Sequence, residues 1–240
     1  MEQLSPMLQT LFADLVQQVS SAQEKPGSVY EQTVKGTKYL YARHPVGAVR
    51  RDVYLGPASD LAVQERAELV RLAQREAKAR RQLVRSLRDN GVPVPTRALG
   101  SVLDVMSDAG LFDDGVLVGT AAYMCYSPII GMALPAATLM TQDADLATAS
   151  LAISGDAGSA SMLDILRRAD ETFSDVPGLS KTAPPSAFRS KHGFLVDLLT
   201  PQRRRTDRNP MPLDNLKAGA TPLQHLDWLI EAPVRTVALY

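Results

Sequence analysis

The chain has 240 residues and a mass of 26.0 kDa, with 45% hydrophobic and 22% charged residues, the balance of an ordinary globular protein with a sizeable core. A single cysteine, Cys125, excludes an intrachain disulfide framework and a cysteine-based zinc cluster, and the scattered histidines His44, His192 and His225 speak against a multi-histidine metal site. No stretch reaches the roughly 18 apolar residues of a membrane span, and the start, with Glu2 and Asp14, lacks the basic and apolar regions of a signal peptide, so the cytoplasm is the expected compartment.

Formal net charge is zero, but it is unevenly distributed. Residues 31–100 hold 14 Lys/Arg against 7 Asp/Glu, residues 101–175 hold 2 against 11, and residues 179–210 return to 7 against 2. An acidic block between basic ones suits carboxylates gathered for a divalent cation beside surfaces for a polyanion. Solvated helix faces can sort charge in the same way.

Residues 1–24 carry Met7, Leu8, Leu11, Phe12, Leu15, Val16 and Val19 at helical spacing, ended by Lys25-Pro26-Gly27. From Val29 to Leu55 short runs of Tyr, Thr, Val and Leu around Gly36 and Pro45–Gly47 predict a small antiparallel β-meander, which makes residues 25–57 one unit. Its tyrosines are interleaved with Lys35, Lys38, Arg43, Arg50 and Arg51, a mixture that suits nucleic acid, although tyrosine is also a good strand residue. Ser59 or Asp60 caps a long helix running to about Asn90, with Gly91 as its end and Pro93 beyond. Leu69, Leu72, Ala73, Ala77, Leu83, Val84 and Leu87 form its expected apolar stripe. Its other faces hold Arg66, Arg71, Arg75, Lys78, Arg80, Arg81, Arg85 and Arg88: a solvated face, a nucleic-acid contact or a partner surface.

A compact domain spans 99–240, after a helix-and-linker unit over 58–98. A short helix over Val102–Ala109 ends at Gly110, Val116–Val118 is a buried strand ending in Gly119-Thr120, and Ala121 to about Ile130 is a helix. Asp143–Ala147 reads as a strand with alternating faces, Met162–Phe173 as a helix, Pro177–Pro185 as a loop and Gly193–Leu199 as a strand. Strands alternating with helices predict an α/β or α+β sheet domain.

Asp143 and Asp145 lie two apart, so on a strand both carboxylates leave the same face. Asp197 sits within the apolar run Phe194–Leu199, where its charge needs compensation. Were the two strands neighbours, three repelling carboxylates would converge, and Mg²⁺, which takes hard oxygen ligands and substrate phosphates, is their natural partner. Gly119-Thr120, where a strand hands over to a helix, supplies free N–H groups and a hydroxyl for a phosphate.

A strand ending in Gly-Thr (Leu117–Thr120), then Asp-x-Asp (Asp143-Ala144-Asp145), then one strand aspartate (Val196-Asp197-Leu198) resembles the polymerase-β-like nucleotidyltransferase superfamily. The stretches LVGTAAY, TQDADLA and FLVDLLTP are similar to a bacterial branch of nucleotidyltransferase-like proteins, and the likeness extends upstream through YEQTVKGTKYLYAR and YLGP to the Arg-rich helix. The resemblance implies a nucleotidyltransferase-type mixed sheet with flanking helices, preceded by the basic meander and the long helix. It also implies metal-dependent transfer of an NMP from an NTP to a hydroxyl of RNA, protein or a small molecule, with release of pyrophosphate. Asp143, Asp145 and Asp197 would be the metal ligands, for Mg²⁺ or Mn²⁺, with Asp197 nearest the attacking hydroxyl, and Gly119 and Thr120 would meet the nucleotide phosphates. Thr120 stands where the superfamily usually has Ser, and 24 residues separate Gly119 from Asp143, more than in compact members. Such proteins continue into a helical region closing over the nucleotide, whereas here the sequence ends on the strand-like run Val234–Tyr240, so the 99–240 unit reads as shortened at its carboxyl end.

Arg203-Arg204-Arg205, after Thr200-Pro201, offers a basic turn for a triphosphate or a polyanionic acceptor, against simple solvation. Ser154–Ser159 has a phosphate-loop composition without the Gly-Lys-Ser/Thr ending and reads better as a linker. His192 beside Lys191 reads as a surface loop within reach of a triphosphate. Met124 and Cys125 read as core, and Trp228 as a packing residue of a helix starting near Thr221-Pro222. Two other function classes fit the pattern: an inactive regulatory or toxin–antitoxin module that kept the fold, and a nucleic-acid-binding scaffold acting through residues 29–90.

Overall fold

The computed structural model describes residues 2–22, 24–46, 49–134, 142–149, 160–178 and 182–240. After a two-residue strand β1 (Glu2–Gln3), Ser5 caps helix α1 (Pro6–Ser20) by accepting the Leu8 N–H. Leu8, Phe12 and Leu15 form its buried track, while Met7 and Val19 face solvent.

Strands β2 (Ser28–Val34), β3 (Thr37–Val46) and β4 (Val49–Pro57) form the expected antiparallel meander. The β2–β3 turn is Lys35-Gly36, both at positive φ (48° and 80°), the backbone that a two-residue hairpin of matching twist requires. One meander face, through Leu40 with Val29 and Leu55, packs on Val63 and Ala67 of helix α2 (Leu61–Asp89), which Asp60 caps at the Ala62 N–H. Helix α2 buries Val63, Ala67, Val70, Ala73, Ala77 and Leu87, whereas Leu69 and Leu72 are exposed, so its apolar stripe is offset from the expected one. The buried positions Val63, Ala67, Val70, Ala73 and Ala77 are spaced three and four apart, one helical track beside those leucines.

Helix α3 (Arg97–Asp108), capped by Thr96, leads into strand β5 (Gly115–Val118), helix α4 (Gly119–Ile130) and the short β6 (Met132–Ala133), which pairs with β1. Strand β7 (Asp143–Thr148), helix α5 (Met162–Arg167), β8 (Ser174–Asp175), β9 (Ala187–Arg189), β10 (Leu195–Pro201), β11 (Met211–Leu213), β12 (Ala218–Leu223) and helix α6 (Leu226–Ile230) complete the chain. The main sheet runs β11-β12-β10-β7-β5, with β9 paired to the amino-terminal half of β10. Strands β7, β10 and β12 are mutually parallel, and β5 is antiparallel to β7. One face packs on α3 and α5 through Ala144, Leu146, Val196 and Leu198, all nearly solvent-free.

The fold departs from the sequence reading elsewhere as well. Helix α5 stops at Arg167 rather than Phe173, because the Asp170 carboxylate accepts the N–H and hydroxyl of Thr172 and holds the chain in a turn. Thr221-Pro222 belongs to β12, and α6 begins only at Leu226, so Trp228 is 79% exposed rather than packed: a five-residue helix buries the Leu226/Ile230 track, and Trp228 lies about 200° away. The 234–240 run is not a strand. Leu239 instead fills the cluster of Leu8, Phe12, Leu15, Leu87 and Val92, and the Tyr240 hydroxyl lies 2.8 Å from Ser101 Oγ.

Candidate active site

Alternation along two adjacent parallel strands builds the site. In register, Asp145 of β7 lies opposite Asp197 of β10, and Asp143 lies opposite Leu195. Register partners share a face, so Asp143, Asp145 and Asp197 all stand on the side opposite the α3/α5 core, each partly buried. Helix α6 covers the carboxyl-end portion of that face through Leu226 and Ile230 against Ala147 and Leu199. The amino ends of β7 and β10, with the carboxylates, are left uncovered by it.

Strand β5 completes the patch. Val118 pairs with Asp145, and Gly119 follows at φ +69°, a conformation that side chains disfavour. A Cβ at Gly119 would overlap Asp145 Oδ2, so only glycine lets the backbone run this close to the carboxylate. Gly119 and exposed Thr120 open α4, whose cap residue Val118 supplies no side-chain hydrogen bond. The cap side chain therefore satisfies none of the first N–H groups of α4, which open next to Asp145.

Electrostatics records the crowding. Burial, then the charges of Asp143 and Asp197, push the Asp145 carboxyl up to about 6. Burial and Asp143 raise Asp197 as well, opposed by Arg189. Among the described residues no hydrogen bond reaches Asp145 or Asp197, so added positive charge is the remaining compensation. As placed, no three His, Cys, Asp or Glu side chains among the described residues enclose an ion. The fit to a divalent cation is one of donor chemistry and shared strand face: three hard carboxylates under mutual repulsion.

Arg189 was not legible as a site residue. It pairs with Leu195 across β9–β10 and so shares the face of Asp197. Its strand is three residues long, too short for periodicity to reveal, and the only signal was an arginine beside the buried Phe188. Lys191 and His192 occupy the β9–β10 turn at the amino end of β10, where both act on Asp170. Arg203, Arg204 and Arg205 are not brought to the carboxylates by the sheet. They follow Pro201, the last residue of β10, and so lie beyond the opposite end of a strand whose third residue is Asp197. Their turn closes on itself, the Arg204 N–H donating to the Asp207 carboxylate at 2.8 Å and the Gln202 amide to the Asp207 carbonyl. Ser154–Ser159 lies outside the described residues. Cys125 is not a nucleophile candidate, because burial pushes its thiol up to about 11.

The nucleotidyltransferase family model matches residues 97–240, more than half of the chain. The chain belongs to the nucleotidyltransferase family. No curated protein and no solved structure matches it. The matched segment of the chain holds Gly119, Thr120, Asp143, Asp145, Arg189 and Asp197, and its mixed sheet with flanking helices is the expected fold class. Nucleotidyl transfer is the family's general reaction, an NTP is the substrate it implies, and divalent metals generally serve it. No helix among the described residues is long and apolar enough to cross a membrane.

Proposed function

We propose that this nucleotidyltransferase moves an NMP from an NTP to a hydroxyl acceptor with release of pyrophosphate, using Mg²⁺ or Mn²⁺, and that residues 99–240 are its catalytic unit. The observation that carries the reading is the shared face of Asp143, Asp145 and Asp197, with Asp145 and Asp197 as direct cross-strand partners beside Gly119. Asp143, Asp145 and Asp197 would hold the metal, which would neutralise phosphate charge and lower the pKa of the attacking hydroxyl.

The chain's own groups do the rest. The N–H groups of Gly119 and Thr120, with the Thr120 hydroxyl, hold the phosphates at the amino end of α4. Arg189 balances negative charge on the same face. The acceptor oxygen attacks the α-phosphorus, the α–β bridging bond breaks, and the pair of electrons leaves with pyrophosphate. Asp197, whose raised affinity for protons suits a base, takes the hydroxyl proton.

The test is incubation of the full chain with each labelled NTP, Mg²⁺ and total RNA or protein. Transfer of label from an NTP, lost in Asp145→Asn and Asp197→Asn, is expected. Absence of Mg²⁺-dependent turnover with all four NTPs overturns the proposal and leaves a non-catalytic module that kept the fold.

A further inference from the structure

The open face of the meander carries a cluster of tyrosines that nucleotidyl transfer at the carboxylates does not use. Register places Tyr30, Tyr41 and Tyr54 side by side across β2, β3 and β4, with Tyr39 completing the group. Tyr30 and Tyr41 stack at 5.5 Å between centroids and 17° between planes. Tyr41 meets Tyr54 at 5.4 Å, and Tyr54 meets Tyr39 at 5.9 Å. Helix α2 occupies the other face of this sheet, through Leu40, Val63 and Ala67, so the rings are turned away from it. Tyr54 is 53% exposed.

Charge and polar groups are arranged around the rings. The Arg43 guanidinium lies 4.8 Å from the centre of the Tyr30 ring and is fixed there by two bonds to the Asp52 carboxylate, at 2.7 and 2.9 Å. The Tyr30 hydroxyl donates to the same carboxylate at 3.0 Å. Arg50, opposite Pro45 and therefore on the tyrosine face, is exposed and has no ion pair among the described residues. Gln32, opposite Tyr39 on this face, offers both a donor and an acceptor. Within the meander, residues 28–57, Lys35, Lys38, Arg43, Arg50 and Arg51 stand against only Glu31 and Asp52.

Cross-strand tyrosine pairs stabilise a sheet, and that explains two of the rings. It does not explain four joined rings on an uncovered face, Tyr54 exposed and Tyr30, Tyr39 and Tyr41 partly so, with a guanidinium locked on the first. We propose that this face is a platform for a single-stranded polynucleotide, with bases stacking on Tyr30, Tyr41 and Tyr54 and Arg50 meeting the backbone. Flat rings can take the faces of unpaired bases, whereas a duplex hides its base faces within its own stack. The cationic surroundings complement the phosphates, and an apolar protein partner would not call for them.

The platform is independent of the carboxylate site, so it is tested by binding in EDTA with no NTP. The full chain is titrated into a labelled single-stranded RNA of about 12 nucleotides, the same sequence as DNA, and the corresponding duplex. Both single strands are expected to bind more tightly than the duplex, with affinity falling as salt rises. Tyr41→Leu, which keeps apolar bulk but removes the ring, is expected to weaken binding about tenfold, and Tyr41→Phe to preserve it. If Tyr41→Leu loses the fold by circular dichroism, Tyr54→Ser at the exposed end of the cluster replaces it. The double variant Asp145→Asn/Asp197→Asn is expected to bind like the parent, so loss of catalysis and loss of the platform are read separately. Folded tyrosine variants with unchanged affinity, a duplex bound as tightly as the single strand, or no binding of either single strand would each overturn the proposal.

Discussion

Asp145 and Asp197 face one another as register partners across two parallel strands, with no hydrogen bond from the described residues to either carboxylate. Placing two partly buried anions side by side costs stability and is retained where something else needs them.

The first consequence concerns pH. The folded Asp145 carboxyl titrates near 6 against an ordinary value of 3.8. Between those values the folded chain keeps a proton that the unfolded chain has released, so stability falls as pH rises through that window and levels off above it. Asp145→Asn removes the burden, and in EDTA at pH 7.5 it should melt about 2–4 °C above the parent, for about 1 kcal/mol after solvent screening. At pH 4 the difference should vanish. Melting curves at both pH values decide it, and a variant that melts lower at pH 7.5 contradicts the crowding.

Metal should reverse the sign. An ion that binds only the folded cluster stabilises by mass action, so Mg²⁺ should raise the melting temperature of the parent in a concentration-dependent way. The same titration should leave Asp145→Asn/Asp197→Asn unmoved. Calorimetry of both proteins across a Mg²⁺ series checks this.

Gly119→Ala tests the phosphate end. At φ +69° with Asp145 Oδ2 in the way, the added methyl group strains the backbone and displaces the carboxylate. A loss of about 1–3 kcal/mol in stability is expected, together with a rise in KM for the NTP. An alanine variant with parental stability and KM would mean the junction is not held as described.

Arg189→Gln should act on the same reaction without touching the fold. Removing the cation that lowers Asp197 lets its carboxyl rise further, so the acid limb of the pH–rate profile should move to higher pH. The same change at Arg204, beyond the other end of β10, should leave that limb in place.

Leu239→Ala addresses the carboxyl-terminal run. Leu239 is 3% exposed among residues of α1 and α2. Truncating it should destabilise the chain by about 2–4 kcal/mol, seen as a lower denaturation midpoint at unchanged m. An exposed, strand-like tail would show almost no effect.

Elements whose pattern is local were legible. The meander, the long helix with its Asp60 cap, and the strands bearing Asp143, Asp145 and Asp197 follow from periodicity and turn residues that act over a few positions. The end of α5 and the start of α6 do not follow from apolar spacing, because a side-chain turn at Asp170 and a left-handed His225 override it. The offset stripe of α2 shows the same limit, since alanine burial depends on what lies opposite.

The order Gly-Thr, Asp-x-Asp, Asp and the alternation of each strand were determined by the sequence alone, because side-chain direction on a strand has a fixed period of two. Only tertiary structure decided that β7 and β10 are parallel neighbours in the register that sets Asp145 against Asp197. It also decided that the three-residue strand β9 brings Arg189 to their face, and that the Arg203–Arg205 turn leaves at the other end. Strand order and register are set by contacts between residues tens of positions apart, whose loop entropy and packing leave no local mark in the chain.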